Sequence, residues 1–226
     1  MEFNVHKKWN NFFEENEKIL TEINNNIDYQ NNVVLPKKEY IYKSFKYFSP
    51  SKCKLVILGQ DPYPGSTKQN NKKIYYAEGL SFSVNKDIIK LPASLKNIFK
   101  ELKNNYPDFT FKNGSLLNWV KKEKIMLLNT SLTVIEGKPN SHSKLWSNFT
   151  DKVIQKLDTE SKCIFLLMGN NAKKKEKLII NKERILTCVH PSPLSATRGF
   201  FDSNIFINVN QKLKDYSIKE IKWDNL

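Results

Sequence analysis

The stretch CKLVILGQDPY, residues 53–63, carries the clearest signal for the fold, because an apolar run leads directly into a polar segment that contains proline. The run Cys53–Leu58 does not alternate between apolar and polar residues. Such continuity is typical of a strand that is covered on both faces of a parallel sheet. Three further runs have the same character: Ile125–Leu128, Cys163–Met168 and Ile185–Val189. The sequence therefore predicts four buried parallel strands.

Helical patterns separate these runs. Residues 95–102 place apolar side chains at the spacing i, i+3, i+4 and i+7, and residues 146–157 continue such a pattern over three turns. Strands that alternate with helices indicate an α/β fold. No repeat and no linker rich in Pro, Gly or Ser divides the 226 residues. We therefore expect a single domain, residues 1–226, with a central four-stranded parallel sheet flanked by helices.

Each predicted strand is followed directly by a polar segment. These segments are Gly59-Gln60-Asp61-Pro62-Tyr63, Asn129-Thr130, Gly169-Asn170-Asn171 and His190-Pro191-Ser192-Pro193-Leu194-Ser195. In open parallel sheets, ligands bind at the carboxyl ends of the strands. An acid, an amide and an imidazole that lie far apart in the chain are thereby predicted to share one crevice.

The charge balance favours a polyanionic partner but does not establish one. The chain has 37 Lys and Arg residues against 23 Asp and Glu residues, for a formal net charge of +14. Neutralising phosphates releases counterions and favours binding. However, Arg184 and Arg198 are the only arginines, and a composition rich in lysine and asparagine also follows from an AT-rich genome. Charge alone leaves both interpretations open.

The cysteines and the N-terminal segment indicate a reducing, intracellular compartment. Cys53, Cys163 and Cys188 each lie in an apolar run, their odd number argues against a disulfide framework, and no pair has metal-ligand spacing. Residues 1–20 contain neither a signal-peptide core nor a transmembrane run. We expect a soluble cytoplasmic protein, or a nuclear one if its source is eukaryotic or viral. Because no metal cluster, nucleotide-binding glycine loop or flavin motif occurs, we expect no metal and no cofactor.

The polar segments closely resemble those of the family 1 uracil-DNA glycosylases. Seven motifs occur in order: Gly59–Tyr63, Gly79–Val84, Leu91–Phe99, Leu127–Thr130, Phe149–Asp151, His190–Ser195 and Arg198–Phe201. The resemblance runs from about residue 53 to 210, and an ordered set of this size is very specific. It implies a monofunctional DNA repair hydrolase that flips uracil out of DNA, hydrolyses the N-glycosidic bond and releases free uracil. The product is an abasic site, which initiates base excision repair.

The resemblance assigns the catalytic roles to Asp61 and His190. Asp61 would orient the attacking water and stabilise an oxocarbenium-like cation, and Pro62 restricts its backbone to an extended conformation. His190 would donate from a neutral imidazole to the uracil oxygen that gains negative charge. The alternatives are an ordinary Asp-Pro turn and a histidine that caps a strand end.

The resemblance also implies a pocket that binds the base. Gln60 is one of the substrate-binding residues in this pocket. Asn129 would bond the carbonyl and ring N–H of uracil, because a primary amide offers one donor and one acceptor. Tyr63 would occupy the space that the methyl group of thymine needs. Phe82 would stack on the flipped ring, although without the family match it reads as an ordinary core residue.

DNA contacts complete the expected interface. The residues expected to hold backbone phosphates are Ser94, Asn170, Ser192 and Ser195. Leu194 would act as a wedge that enters the duplex where the base has left. The resemblance implies uracil-containing DNA as the partner of a monomeric enzyme, and a DNA-mimicking inhibitor protein that blocks the groove.

The chain departs from the family pattern after Asp-Pro-Tyr. Pro64 replaces the usual histidine, and its ring has no donor with which to contact a phosphate or a water at that position. The connection between Gly65 and Ala77 is longer than typical and carries Lys68, Lys72 and Lys73. These lysines either contact flanking DNA or belong to a solvated loop.

Two rival functions remain open at this point. The first is a non-catalytic DNA-binding module on the same fold, such as a scaffold for replication proteins. Retention of Asp61, Asn129 and His190 argues against it, since a scaffold needs none of them. The second is an enzyme that acts on related lesions such as 5-substituted uracils, which Tyr63 argues against.

Overall fold

The computed structural model describes residues 3–224. In chain order the strands are β1 (Val34–Leu35), β2 (Leu55–Gly59), β3 (Ser66–Gln69), β4 (Lys72–Tyr75), β5 (Ile125–Asn129), β6 (Val134–Ile135), β7 (Ile164–Met168) and β8 (Ile185–Cys188). The helices are α1 (Asn10–Glu15), α2 (Glu17–Asn25), α3 (Ala93–Asn105), α4 (Leu117–Lys121), α5 (Ser143–Glu160), α6 (Asn170–Lys173) and α7 (Ile205–Asp215). Short 3₁₀ turns join several of them.

The four predicted strands form one parallel sheet in the order β5-β2-β7-β8. Every residue of β2, β5 and β7 is buried, which explains why these strands lack polar alternation. The strand β8 lies at an edge with a neighbouring strand on one side only, and only Cys188 in it is buried. The prediction that all four strands are covered on both faces is therefore wrong for β8. The predicted α/β fold class with a central four-stranded parallel sheet is confirmed.

Helices cover this sheet as the periodicity predicts. The apolar face of α3 buries Leu95, Ile98, Phe99 and Leu102. The face of α5 buries Trp146, Phe149, Val153, Ile154 and Leu157. Both helices therefore put their apolar sides into one continuous core, which also includes the sheet.

An aromatic cluster attaches the N-terminal segment to this core. The ring centroids of Phe13 and Phe45 lie 5.1 Å apart, and those of Phe13 and Phe149 in α5 lie 5.5 Å apart. Trp9 packs edge-on against Phe45 at 5.1 Å. Edge-to-face pairs at these distances add to the stabilisation from burial. The first helices are thus part of the main core, although the family motifs say nothing about them.

The long connection between Gly65 and Ala77 is an ordered β-hairpin made of β3 and β4, not an irregular loop. Asn70 and Asn71 connect the two strands with φ angles of +48° and +60°. Two successive left-handed residues match a two-residue hairpin turn, and asparagine tolerates that conformation better than most residues. A second antiparallel pair joins β1 and β6.

The three cysteines are free and buried, as predicted. Burial raises the pKa of the Cys188 thiol to about 12, because the thiolate would lose its hydration. The reactive thiolate form is therefore scarce near neutral pH. Within residues 3–224, no helix is both long enough and apolar enough to cross a membrane.

A buried ion pair ties α5 to the edge strand. Arg184 lies directly before β8, and its guanidinium forms an ion pair with the carboxylate of Asp158 near the end of α5. The same guanidinium donates to the carbonyl oxygens of Asp158 at 2.9 Å and Ser161 at 2.8 Å. The side chains of Arg184 and Asp158 are 7% and 2% exposed, so each charge depends on the other for compensation.

We expect the substitution Arg184→Met to lower the free energy of unfolding by about 3–5 kcal/mol, because it leaves the Asp158 carboxylate buried without its partner. Urea denaturation measures the change. Lys214→Met, which breaks the exposed pair with Glu220, is the matched control and should cost less than about 1 kcal/mol. Similar losses in the two variants would contradict a special role for the buried pair.

Candidate active site

The carboxyl ends of the parallel strands bring the four polar segments to one edge of the sheet. Gly59 at the end of β2 pairs in register with Asn129 at the end of β5. A cleft of about 230 Å³ opens there. Its lining residues are Gly59, Gln60, Asp61, Pro62, Tyr63, Pro64, Phe82, Ser94, Asn129, Pro139 and His190. The predicted convergence of an acid, an amide and an imidazole is confirmed.

The two carboxylate oxygens of Asp61 differ: one accepts hydrogen bonds from the protein, and the other has no donor among the described residues. Its Oδ2 accepts hydrogen bonds from the backbone N–H of Asn140 at 2.7 Å and from Gln60 Nε2 at 3.2 Å. Its Oδ1 is buried and has no hydrogen-bond partner in residues 3–224. A buried oxygen without a partner is rare and costly, so its place in an open cleft points to a ligand or water that completes it.

Gln60 braces Asp61 from the side. Besides its bond to Asp61, the Gln60 side chain donates to Asn140 Oδ1 at 2.7 Å and accepts from Asn171 Nδ2. Gln60 lines the cleft as predicted, but its side-chain amide is occupied by protein groups. Sequence reasoning missed this bracing role of Asn140 and Asn171. Asn171 lies in a strand-end segment, whereas Asn140 lies outside the seven motifs, and their contacts with Gln60 span 80 and 111 residues of chain.

Asn129 also presents a buried atom without a partner. The residue is 5% exposed, and its Oδ1 lacks a hydrogen-bond donor throughout the described chain. The neighbouring Gly59 makes room for the amide: a Cβ at that position would lie 2.2 Å from Asn129 Oδ1 and 2.8 Å from Ser81 Cβ. Glycine is therefore required at the end of β2 if the amide is to keep this position.

Phe82 adopts a strained backbone conformation at the cleft wall. Its φ angle is +61°, which is a genuine outlier for a bulky residue and is found mostly where the surroundings enforce it. The flanking serines supply that enforcement: Ser81 Oγ donates to the carbonyl oxygen of Ile57 at 3.1 Å, and Ser83 Oγ bonds the carboxylate of Glu78. The Phe82 ring lies 5.9 Å from the ring of His190. Phe82 is half-buried and lines the cleft, so it is not an ordinary core residue.

Tyr63 packs beside Phe82. Its hydroxyl donates to the carbonyl oxygen of Phe82 at 3.4 Å. Burial raises the pKa of the Tyr63 phenol well above its usual value, so the hydroxyl stays protonated. The aromatic ring thus forms a neutral, bulky wall of the cleft.

His190 is held in a defined tautomer. The backbone N–H of Ser192 donates to its Nδ1 at 3.1 Å, so the proton of a neutral ring resides on Nε2. Burial lowers the pKa of His190, because the imidazolium form would lose hydration. Gly169, with φ at +83°, approaches closely: a Cβ there would lie 2.7 Å from His190 Cβ.

The segment after His190 exposes Leu194, the residue predicted to act as a wedge. This residue is 85% exposed. Ser195 Oγ donates to the carbonyl oxygen of His190 at 2.8 Å and lies 2.8 Å from Ser192 Oγ. Both serines therefore belong to the turn that also positions the imidazole. Leu194 projects from this turn towards solvent.

The remaining residues predicted to contact DNA also lie near the carboxyl ends of the parallel strands. Ser94 is the second residue of α3 and lines the cleft. Asn170 is exposed at the start of α6, and a neighbouring depression of about 310 Å³ includes Asn170 and Ser192. Two clefts elsewhere, of about 290 and 340 Å³, are lined largely by apolar and aromatic residues. Neither of them brings together an acid, an amide and an imidazole.

The model of the uracil DNA glycosylase superfamily matches residues 45–214. The chain belongs to this superfamily. A uracil-DNA glycosylase of Bacillus cereus (strain AH187) is 46% identical over 200 residues, which cover 87% of this chain and 84% of the relative. A uracil-DNA glycosylase of Fusobacterium nucleatum subsp. nucleatum is 47% identical over 199 residues, with the same two coverages.

Solved structures agree with this membership of the uracil DNA glycosylase superfamily. The crystal structure of mimivirus uracil-DNA glycosylase superposes with a TM-score of 0.84 and 27% identity, covering 97% of this chain and 87% of the viral one. A mimivirus UNG variant in complex with UGI gives a TM-score of 0.86 at 27% identity, covering 96% and 88% of the two chains. The family resemblance read from the seven motifs is confirmed.

In this glycosylase, we expect the His190 ring to remain neutral at pH 7, because burial lowers its pKa below the ordinary value of 6.5. An NMR titration of the histidine Cε1 protons measures the pKa, and the variant His190→Gln assigns the signal. The pKa of His142 is also lowered by burial. In the folded protein both histidines have pKa values below the unfolded-state value of about 6.5. The stability contributed by keeping these two rings neutral is therefore fully present above about pH 6.5 and is lost as the pH falls through the folded-state pKa. A His190 pKa above 6.5 would contradict the expectation of a neutral ring at pH 7.

Proposed function

We propose that this glycosylase removes uracil from DNA by hydrolysing the bond between the base and its deoxyribose, leaving free uracil and an abasic site. The observation that carries the proposal is a pair of buried oxygens in one cleft, Asp61 Oδ1 and Asn129 Oδ1, neither of which has a partner among residues 3–224. His190 lines the same cleft. A non-catalytic scaffold has no use for such a constellation, whereas hydrolysis of a flipped nucleotide needs all three groups.

Access to the base requires that the nucleotide leave the duplex, at a cost of a few kcal/mol. The exposed side chain of Leu194 would enter the stack and occupy the vacated space. The groups that would hold the flanking phosphates are Ser94, Asn170, Ser192 and Ser195. Contacts of this kind position the DNA but do not read its sequence.

Asn129 would select uracil by its hydrogen-bonding pattern. Its Oδ1 would accept from the ring N3–H of uracil, and its Nδ2 would donate to the O4 carbonyl oxygen. Cytosine presents the reverse pattern at this edge and would leave the buried amide unpaired. Mismatches of that kind are rejected by about 10⁴–10⁵-fold. The neutral ring of Tyr63 would exclude the 5-methyl group of thymine.

Asp61 and His190 would divide the chemistry between the two sides of the breaking bond. Asp61 Oδ1 would hold the attacking water and stabilise positive charge at the sugar C1′. As the water oxygen bonds to C1′, the C1′–N1 bond breaks and its electron pair leaves with uracil. His190 Nε2–H would donate to the uracil O2 that gains this charge. The water proton would pass to Asp61.

The contacts of Gln60 would serve this reaction by fixing Asp61 before substrate arrives. Asn140 holds both the carboxylate, through its N–H, and the Gln60 amide, through its Oδ1. Asn171 holds the opposite end of the same amide. A carboxylate that is already oriented does not need to reorganise in the transition state, and this is the main source of electrostatic catalysis.

We expect the wild-type protein to release free uracil from single- or double-stranded oligonucleotides, and Asp61→Asn to lower kcat by about 10²–10⁴-fold. The substitution is isosteric, so the dissociation constant for uracil-containing DNA should change little. Chromatography of the released base and fluorescence anisotropy measure the two quantities. Asp108→Asn, at an exposed site away from the cleft, is the matched control. Near-normal turnover by Asp61→Asn would refute the assigned role, and absence of free uracil with micromolar wild-type enzyme would favour a scaffold.

We expect Asn129→Asp to admit cytosine, because a carboxyl oxygen replaces the amide donor and can accept from the exocyclic amino group of cytosine. The preference for uracil over cytosine should fall by about 10²-fold or more. Parallel release assays on oligonucleotides with uracil or cytosine at one position measure it. Strict uracil specificity in this variant would disprove the proposed mode of base recognition.

A further inference from the structure

We propose that the β3–β4 hairpin and residues 85–90 form a second DNA-binding surface, which contacts phosphates outside the flipped nucleotide. We call these two segments the basic arm. The inference rests on the proposed function, since it takes uracil-containing DNA as the partner. It adds a contact region that lies outside the seven family motifs.

The hairpin begins at the wall of the cleft. Pro64 lines the cleft, Gly65 follows it, and β3 starts at the next residue. The backbone N–H of Gly137 donates to the Pro64 carbonyl oxygen at 2.8 Å. The backbone N–H of Tyr76 donates to the Gly65 carbonyl oxygen at 3.2 Å. The Tyr76 ring packs edge-on against Tyr63, with centroids 6.3 Å apart. DNA with a nucleotide in the cleft therefore passes close to the base of the hairpin.

The hairpin is anchored on both faces. On one face, Gln69 donates from Nε2 to the carbonyl oxygen of Asp87 at 2.7 Å and accepts from the N–H of Ile89 at 2.9 Å. On the other face, Lys73 pairs with Glu136 at 2.6 Å. These contacts hold the hairpin against the body of the protein, so its charges have defined positions and lose less entropy when they bind.

The free charge on the basic arm is positive. Lys68 and Lys72 are exposed, and neither forms an ion pair within the described residues, whereas Lys73 is engaged by Glu136. Lys86 and Lys90 are likewise exposed and make no ion pair within residues 3–224. The carboxylates of this stretch are Asp87, which is exposed, and Glu78, which is buried and paired with Lys43.

Phosphate is the ligand that this arrangement fits. The hairpin register places Lys68 opposite Lys73 and Lys72 opposite Gln69, so Lys68 and Lys72 project from opposite faces of the ribbon. An ammonium group is a compact point charge that suits phosphate without reading sequence. A ribbon with lysines on both faces can follow a sugar-phosphate backbone, and each neutralised phosphate releases counterions.

The test compares Lys68→Gln/Lys72→Gln with the control Lys219→Gln/Lys222→Gln. The control removes the same charge from two exposed residues at the opposite end of the sheet. Their location follows from a hydrogen bond: Lys54, next to the start of β2, donates to the Lys219 carbonyl oxygen at 3.3 Å. Affinity for a duplex with a non-hydrolysable deoxyuridine analogue is measured by anisotropy over a range of salt concentrations. The plot of the logarithm of the binding constant against the logarithm of the salt concentration has a negative slope. Its magnitude should become smaller by roughly 0.9 for each arm lysine that is removed and stay unchanged in the control.

Further readouts separate direct contact from structural damage. Lys68→Arg/Lys72→Arg should retain the wild-type slope, because the charge is preserved. In release assays, the glutamine variant should raise KM for DNA and leave kcat at saturating DNA unchanged. An unchanged slope, or an equal decrease in the control, would overturn the proposal. Because the slope comes from binding alone, it decides the role of the basic arm separately from any failure of the wild-type protein to release uracil.

Discussion

The site depends on the parallel pairing of β2 with β5 at their carboxyl ends. There Gly59 lies beside Asn129 so closely that a methyl group would collide with the amide oxygen at 2.2 Å. Backbone pairing continues beyond the strands: Thr130 N–H donates to the Gly59 carbonyl oxygen at 3.0 Å, and Ser131 N–H donates to that of Gln60 at 2.9 Å. The segments that carry the amide and Asp61 are thereby joined through their backbones. Their relative position follows from sheet geometry and needs no direct contact between the two side chains.

Two buried oxygens at the centre of the site have no hydrogen-bond donor among the described residues, whereas a buried carboxylate elsewhere in the fold is fully satisfied. Glu101, which is fully buried, accepts from the N–H groups of Asp202 and Asn204 and from the Asn105 amide. By contrast, Asp61 Oδ1 and Asn129 Oδ1 have no donor among the described residues. Unpaired buried oxygens cost stability. Their presence in one cleft, next to the strained backbone of Phe82, indicates that stability has been given up there for binding and catalysis.

The chemistry and the DNA contacts are organised by different forces. Within the cleft, the carboxylate, amide and imidazole would act on a bound nucleotide over hydrogen-bond distances, where orientation decides their effect. At the periphery, the exposed Leu194 and the lysines of the basic arm face solvent, where charge acts over several ångströms and salt weakens it. The net charge of +14 becomes informative only once the fold shows which lysines are free and where they lie relative to the cleft.

Local sequence signals were sufficient to predict the four strands of the parallel sheet, the two main helices and most residues that line the cleft, although not Pro139. Continuous apolar runs, helical spacing and ordered motifs are local signals, and the carboxyl-end rule for parallel sheets converts them into one site. Other features became visible only in the folded protein: Asn140 and Asn171 hold Gln60, residues 66–75 form an anchored hairpin, and Trp9 and Phe13 join the core. These features depend on contacts between residues far apart in the chain, such as Gln60 and Asn171, which are separated by 111 positions. No local pattern encodes which distant side chain will lie within hydrogen-bonding distance.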